Sequence, residues 1–132
     1  MEIIIGIAGL LIAWLTYKKT FLSEPKEEKE HLLAQFLATQ KISNQTKKNL
    51  IEFATANNAF DKELFPEVTY QSYITKMETS YNENLSDELF EKLKKMKLSK
   101  SNILSMTKSL ERQFEALLQI NTQVELHLKR QS

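Results

Sequence analysis

The sequence contains no cysteine, and this absence removes three kinds of chemistry. Without thiols the chain has no disulfide framework, no thiolate zinc site and no cysteine nucleophile. Glycine is almost as rare, since Gly6 and Gly9 are the only two and both lie in the opening stretch. Glycine-rich phosphate loops, tight two-residue hairpins and nucleophile elbows all need backbone conformations that glycine adopts most readily. The rest of the chain is therefore predicted to be all-α, with helices joined by polar turns.

The chain also lacks a dominant charge, because its formal net charge is +1 over 132 residues. That balance argues against specific binding of duplex nucleic acid, which needs a strongly basic surface. Groups for catalysis are scarce as well. His31 and His127 lack the close helical partner typical of a metal site, and the carboxylates form no recognisable catalytic pair. We expect no metal, no cofactor and no catalytic residues, and hence a protein that is not an enzyme.

One long apolar run is present, and it opens the chain. Residues 3–15 carry no charged side chain, Glu2 precedes them, and two lysines follow shortly after. A cleaved export signal has its positive charges before the apolar run, so these flanks favour an uncleaved transmembrane helix over residues 1–22, about 33 Å long. The positive-inside rule then places a short amino terminus outside the inner or plasma membrane and residues 23–132 in the cytoplasm. A buried core helix is the alternative.

Three small residues of this predicted span share one side of the helix: Gly6, Gly9 and Ala13. Small side chains let a second helix approach closely within a bilayer, so this face predicts contact between copies of the chain. The alternative is that small residues are simply common in membrane spans.

Residues 23–132 are predicted to form a cytosolic α-helical domain. A helix should begin near Pro25, and its apolar spacing is interrupted by a run of seven polar residues, so this first stretch is either one helix or two. A second helical stripe starts at Tyr70. Ser86 is placed to cap a short, lysine-rich helix that follows it.

The strongest pattern lies in the last segment, where residues recur at alternating spacings of four and three from Ile103 to Leu128. Almost four heptads of this kind predict one coiled-coil helix of about thirty residues. Further apolar residues widen the surface beyond a two-stranded seam, so we expect this helix to pack on the domain's other helices, with Leu110, Phe114 and Leu117 buried, and on a second subunit as well. We assign four residues of the seam to an oligomer interface: Leu110, Phe114, Leu117 and Asn121. Asn121 either fixes the register between subunits or is satisfied within the monomer, and the second interpretation is favoured.

The densest charge cluster comprises five lysines: Lys92, Lys94, Lys95, Lys97 and Lys100. Such a cluster could bind the phosphates of a nucleotide or anionic lipid head groups, each lysine contributing about 1 kcal/mol near a membrane. On a helix with its apolar residues inward, however, these lysines fan around several faces, which favours a solvated surface. Parallel packing of subunits would bring the clusters to one height and create a phosphate-binding ring.

These features support two functional hypotheses. The first is a membrane-anchored sensor or effector that oligomerises, binds a phosphate-bearing ligand such as a cyclic nucleotide and acts on the bilayer. Its layout resembles the small single-span effectors of prokaryotic antiviral defence, in which a cytosolic domain binds a cyclic nucleotide and the assembly disturbs the membrane. The second is a passive, membrane-tethered coiled-coil scaffold or adaptor. Response to a small ligand distinguishes the two.

Overall fold

The computed structural model describes residues 25–131 and confirms the all-α prediction. Within this range four helices and one short antiparallel hairpin follow one another: α1 (Lys26–Asn57), β1 (Glu63–Phe65), β2 (Val68–Thr69), α2 (Tyr70–Asn84), α3 (Asp87–Lys95) and α4 (Lys100–Gln131). The first stretch is thus one helix. Its polar middle did not break it: Ser43 and Thr46 are buried there, and the Thr46 hydroxyl contacts the Leu117 carbonyl of α4.

None of the helices in residues 25–131 is long and apolar enough to cross a lipid bilayer. The predicted transmembrane helix, residues 1–22, lies outside the described residues, and so does its small-residue face of Gly6, Gly9 and Ala13.

The two long helices, α1 and α4, pack side by side and run in the same direction. The Thr39 hydroxyl reaches the carbonyl oxygen of Leu110, and the Thr46 hydroxyl reaches that of Leu117, so contacts advance along both helices at a constant separation of 71 residues. The heptad seam of α4 therefore has a partner within the chain. That partner is a matching seam on α1 with the same alternating spacing: Leu32, Phe36, Thr39, Ser43, Thr46, Leu50 and Phe53.

Helix α2 runs back along this pair in the opposite direction. Past its middle, Glu78 forms an ion pair with Lys47 at 3.6 Å, and just beyond its end the Leu85 carbonyl accepts a hydrogen bond from Gln40 at 2.6 Å. Short helix α3 then returns the chain to the end of the bundle at which α1 begins. The amino ends of α1 and α4 consequently lie together.

Buried apolar residues form two clusters along the bundle. The proximal cluster, near the start of α1, consists of Leu32, Phe36, Leu85, Leu93, Leu98, Ile103, Met106 and Leu110. The distal cluster consists of Ile42, Leu50, Tyr73, Ile74, Met77, Leu117, Ile120 and Val124. Buried polar side chains lie between the two along the helices, among them Thr39, Gln40, Ser43 and Gln113. The core is therefore layered, with a polar belt between two apolar clusters.

The hairpin formed by β1 and β2 contradicts the expectation that a region without glycine contains no tight two-residue hairpin. Phe65 pairs with Val68, which leaves Pro66 and Glu67 as a two-residue turn without glycine. Proline presets the first turn position, and Glu67 takes the left-handed conformation with φ of 66°, at a cost of about 1 kcal/mol. Its backbone N–H donates to the Glu63 carboxylate at 2.8 Å. The prediction that the glycine-free region forms no tight two-residue hairpin was therefore wrong.

Candidate functional site

The lysine cluster lies at the end of the bundle where α1 begins. The ammonium of Lys100, at the start of α4, is 3.7 Å from the Glu28 carboxylate in the first turn of α1. On the other side, Lys29 of α1 donates a hydrogen bond to the backbone carbonyl of Lys94 at 2.9 Å. These contacts bring the last turn of α3 and the first turns of α1 and α4 into one basic region.

Local sequence explains why α3 ends there with a positive charge. Ser86 is the N-cap, as predicted, and its hydroxyl accepts a hydrogen bond from the Leu89 backbone N–H at 3.1 Å. The first turn carries Asp87 and Glu88, and the last turn carries three lysines. Acidic residues at the amino end and basic residues at the carboxyl end both complement the helix dipole, so this distribution stabilises a helix of only nine residues.

Lys29 is a functional candidate that the sequence analysis missed. It is only 8% exposed, and its ammonium donates to two main-chain carbonyl oxygens, of Lys94 at 2.9 Å and of Met96 at 2.5 Å. Carbonyl groups at a helix carboxyl end lack intrahelical donors, and a cation there is favourable. Lys29 therefore connects α1 to the carboxyl end of α3 through two hydrogen bonds. One signal was available: residue 29 precedes Leu32 by three positions and so falls on the buried face of α1.

A cleft of about 400 Å³ lies beside this contact. It is lined by Lys26, Lys29, Glu30, Leu33 and Lys94. Three ammonium groups against one carboxylate give the cleft a net positive charge, and Leu33 adds an apolar wall. Its volume is at the small end of the range found for ligand sites.

Of the five predicted ligand-binding lysines, only Lys94 lines this cleft. Its ammonium lies 3.7 Å from Glu91 and 5.6 Å from the centre of the Phe90 ring, and its side chain is 48% exposed. Lys92 pairs instead with Glu88 at 3.8 Å on the outside of α3. Lys95 and Lys97 are exposed, as is Lys100. Exposed pairs of this kind contribute little stability, so they compete weakly with an incoming anion. Ligand binding by the cluster stays a prediction.

The four predicted interface residues of the α4 seam lie mostly inside the chain's own core. Leu110 and Leu117 are 1% and 2% exposed, and Phe114 is half-buried against the distal cluster. Asn121 accepts a hydrogen bond from the side-chain amide of Asn49 at 2.7 Å, which agrees with the favoured interpretation that it is satisfied within the monomer. Subunit contacts through this seam stay a prediction, and they would require α1 and α4 to separate.

Titratable groups in the described part of the chain do not converge as a catalytic or metal site would. Across residues 25–131 no three histidine or acidic side chains are placed to hold a metal ion. His31 lies on the exposed surface, 3.8 Å from Glu111, and His127 contacts the Gln123 carbonyl of its own helix. Burial raises the pKa of Tyr73 to about 12, so that phenol stays protonated near neutral pH. Burial also raises the pKa of Tyr70.

No family model matches the chain, and neither a curated protein nor a solved structure shows significant similarity to it. The class defined by the fold is an all-α bundle built on two parallel, heptad-patterned helices, with a cationic cleft at one end.

Proposed function

We propose that this protein is a membrane-anchored, non-enzymatic sensor or effector whose helical domain binds a phosphate-bearing ligand and acts as a homo-oligomer at the bilayer. One observation carries the proposal: the lysine cluster lies at the end of the bundle where α1 begins, and α1 begins directly after the predicted anchor. The domain would stand in the cytoplasm, with residues 1–22 in the inner or plasma membrane.

Chain reach supports this placement. The predicted anchor ends at residue 22 and α1 begins at Lys26, so the connecting backbone extends at most about 14 Å. The basic end of the bundle would therefore lie close to the lipid head groups. Each lysine near an anionic surface contributes about 1 kcal/mol, so even part of the cluster would orient the domain.

The distribution of charge also favours an anionic ligand, although the chain as a whole is nearly neutral. Residues 92–100 contain five lysines and no acidic residue. Glu28 of α1 and Glu88 and Glu91 of α3 pair with three of these lysines, so the patch carries a modest positive excess. A local basic patch can recognise phosphate without a large net charge on the protein.

The test uses the full-length chain expressed in a bacterial host. We expect it to stay in the membrane pellet after carbonate extraction, and cyclic nucleotides or anionic lipids to shift its assembly state in native mass spectrometry. Leu11→Arg is the control, because a charge at the span's centre adds about 2.5 to 3.5 kcal/mol to insertion. Release of the wild-type chain by carbonate would contradict the anchor, and an assembly state unchanged by every anionic ligand would contradict the sensor.

A passive scaffold is the second candidate, and the surface of α4 favours it. Leu104, Leu118 and Leu126 are 50%, 42% and 53% exposed on this helix. A protein partner lying along α4 would bury these side chains. A scaffold would bind its protein partner equally well with or without a phosphate-bearing ligand, whereas an effector would not.

A further inference from the structure

The geometry points to a specific ligand for the cleft between the start of α1 and the end of α3: we propose that it binds a terminal phosphate, a phosphomonoester, held between the ammonium groups of Lys26 and Lys94. This inference rests on the proposed function and narrows the ligand class. It also shifts the predicted site, because Lys26 was not among the lysines expected to bind and four of the expected five line no part of the cleft.

Charge matching selects the monoester. Among the lining residues, Lys26, Lys29 and Lys94 oppose the single carboxylate of Glu30, so the lining carries two excess positive charges. The Glu91 carboxylate, 3.7 Å from the Lys94 ammonium, lies outside the lining, and this exposed pair competes weakly with an incoming anion. A phosphomonoester carries between about −1.5 and −2 at neutral pH. A phosphodiester such as a cyclic nucleotide carries one negative charge, and would neutralise only half of the excess.

The position of Lys94 is set by its surroundings. Its ammonium lies over the Phe90 ring, and its main-chain carbonyl accepts the hydrogen bond from buried Lys29. The last turn of α3 is thereby held against α1, with the Lys94 side chain along the cleft. Because Lys29 contacts the carbonyl and not the side chain, the Lys94 ammonium can be removed without breaking the link between the helices.

Two sources could supply the same phosphate chemistry: a soluble phosphomonoester, or a lipid whose head group is a bare phosphate. Leu33 and the methylene stems of the lysines provide apolar lining for either a nucleoside or the glycerol end of a lipid. Both sources are tested as separate arms of one experiment.

The experiment is calorimetric titration of the full-length protein in zwitterionic detergent. The soluble arm compares adenosine 5′-monophosphate with adenosine 3′,5′-cyclic monophosphate, which share a nucleoside and differ in phosphate charge. The lipid arm compares dihexanoyl phosphatidic acid with dihexanoyl phosphatidylcholine. In at least one pair, we expect the phosphomonoester to bind about tenfold more tightly than the phosphodiester. A preference in the first pair indicates a soluble ligand, and a preference in the second indicates a lipid.

Matched variants locate the site. Lys94→Gln and Lys26→Gln should each weaken monoester binding about tenfold, because each removes a charge-assisted hydrogen bond. Lys92→Gln should change it less than about twofold, since Lys92 is on the same helix turn but outside the cleft. Glu30→Gln should tighten binding. Unchanged circular dichroism shows that each variant is folded.

Three results would contradict the proposal that this cleft binds a phosphomonoester: no monoester binds, the diester binds as well as the monoester, or Lys92→Gln weakens binding as much as Lys94→Gln. These failures differ from failure of the proposed function. If Lys94→Gln weakens binding as expected but the wild-type chain neither stays in membranes nor changes its assembly, the cleft is a phosphate site and the proposed sensor function is wrong. If the ligand changes the assembly of the wild-type chain and of Lys94→Gln equally, the proposed sensor function is supported and its ligand binds somewhere other than this cleft.

Discussion

Helices α1 and α4 carry seams of the same spacing but of different chemistry. The buried seam of α4 is mostly aliphatic, with Leu110 and Leu117 each 1% to 2% exposed. The seam of α1 is apolar only at its two ends, where leucine and phenylalanine lie, and its middle consists of three hydroxyl residues, Thr39, Ser43 and Thr46. The apolar heptad pattern of α4 is visible in the sequence. The matching seam of α1 is not, because polar residues occupy its middle positions.

The two threonine hydroxyls are compatible with burial because each can donate its hydrogen to a carbonyl oxygen of its own helix or to one of α4. The Thr46 hydroxyl lies 2.7 Å from the Ile42 carbonyl of its own helix and 3.3 Å from the Leu117 carbonyl of α4. Thr39 repeats this arrangement one heptad earlier. Main-chain carbonyls of α4 are within reach only when the two helices approach closely, and small seam residues permit that approach. Small polar residues at seam positions can therefore specify a helix partner.

The largest expected effect comes from the aliphatic seam. Leu117→Ala should lower the free energy of unfolding by about 2 to 5 kcal/mol, because Leu117 is enclosed in the distal cluster and its truncation leaves a cavity. Leu118→Ala is the matched control, since its neighbour Leu118 is 42% exposed. Urea unfolding of the full-length chain in detergent, followed by circular dichroism, measures both. Equal losses in the two variants would mean that the seam does not face α1.

A smaller effect is expected from enlarging the hydroxyl seam. Thr46→Leu should destabilise the chain by about 1 to 3 kcal/mol although it adds apolar volume, because the close contact with α4 leaves no room for the larger side chain. Thr122→Leu places the same change on the exposed face of α4 and should be nearly neutral. The same unfolding measurement applies. A stabilised Thr46→Leu variant would show that α1 and α4 are not closely packed there.

The smallest effect concerns the polar belt beside the α4 seam. Gln113 is fully buried, and neither polar atom of its side-chain amide has a hydrogen-bond partner. Gln113→Met keeps the side chain's length and removes the unsatisfied amide, so it should stabilise the chain by about 1 kcal/mol. Gln119→Met, on the exposed surface, should leave stability unchanged. A destabilised Gln113→Met variant would indicate that the amide has a partner in solution.

Several elements were predictable because their signals are local. The Ser86 cap, the helix beginning at Tyr70 and the α4 heptads all depend on residues within one or two turns of each other. The continuity of α1 was not predictable, since the residues that keep it helical in its polar middle are buried by α4. The turn at Glu67 was missed because a non-glycine residue takes positive φ there.

The candidate site was less predictable than the fold. Lys94 was identified from its place in a lysine cluster, but the spacing of lysines did not indicate which of them would line a cleft. Lys29 hydrogen-bonds to carbonyls 65 and 67 residues away. Every residue has a main-chain carbonyl, so the sequence does not indicate which ones accept this bond. Sites assembled from helix ends depend on tertiary packing, so composition and periodicity alone do not locate them.

The central claim is that the bundle stands with its lysine-rich end at the membrane, and one quenching measurement tests it most directly. Because the chain has no cysteine, a single fluorophore can be placed at Lys95→Cys or, on the exposed side of the last turn of α1, at Ala56→Cys. Helix α1 has 32 residues, so the two ends of the bundle are about 48 Å apart. In bilayers with a head-group quencher, we predict strong quenching at residue 95 and weak quenching at residue 56. Equal quenching at both positions, or stronger quenching at residue 56, would contradict the account.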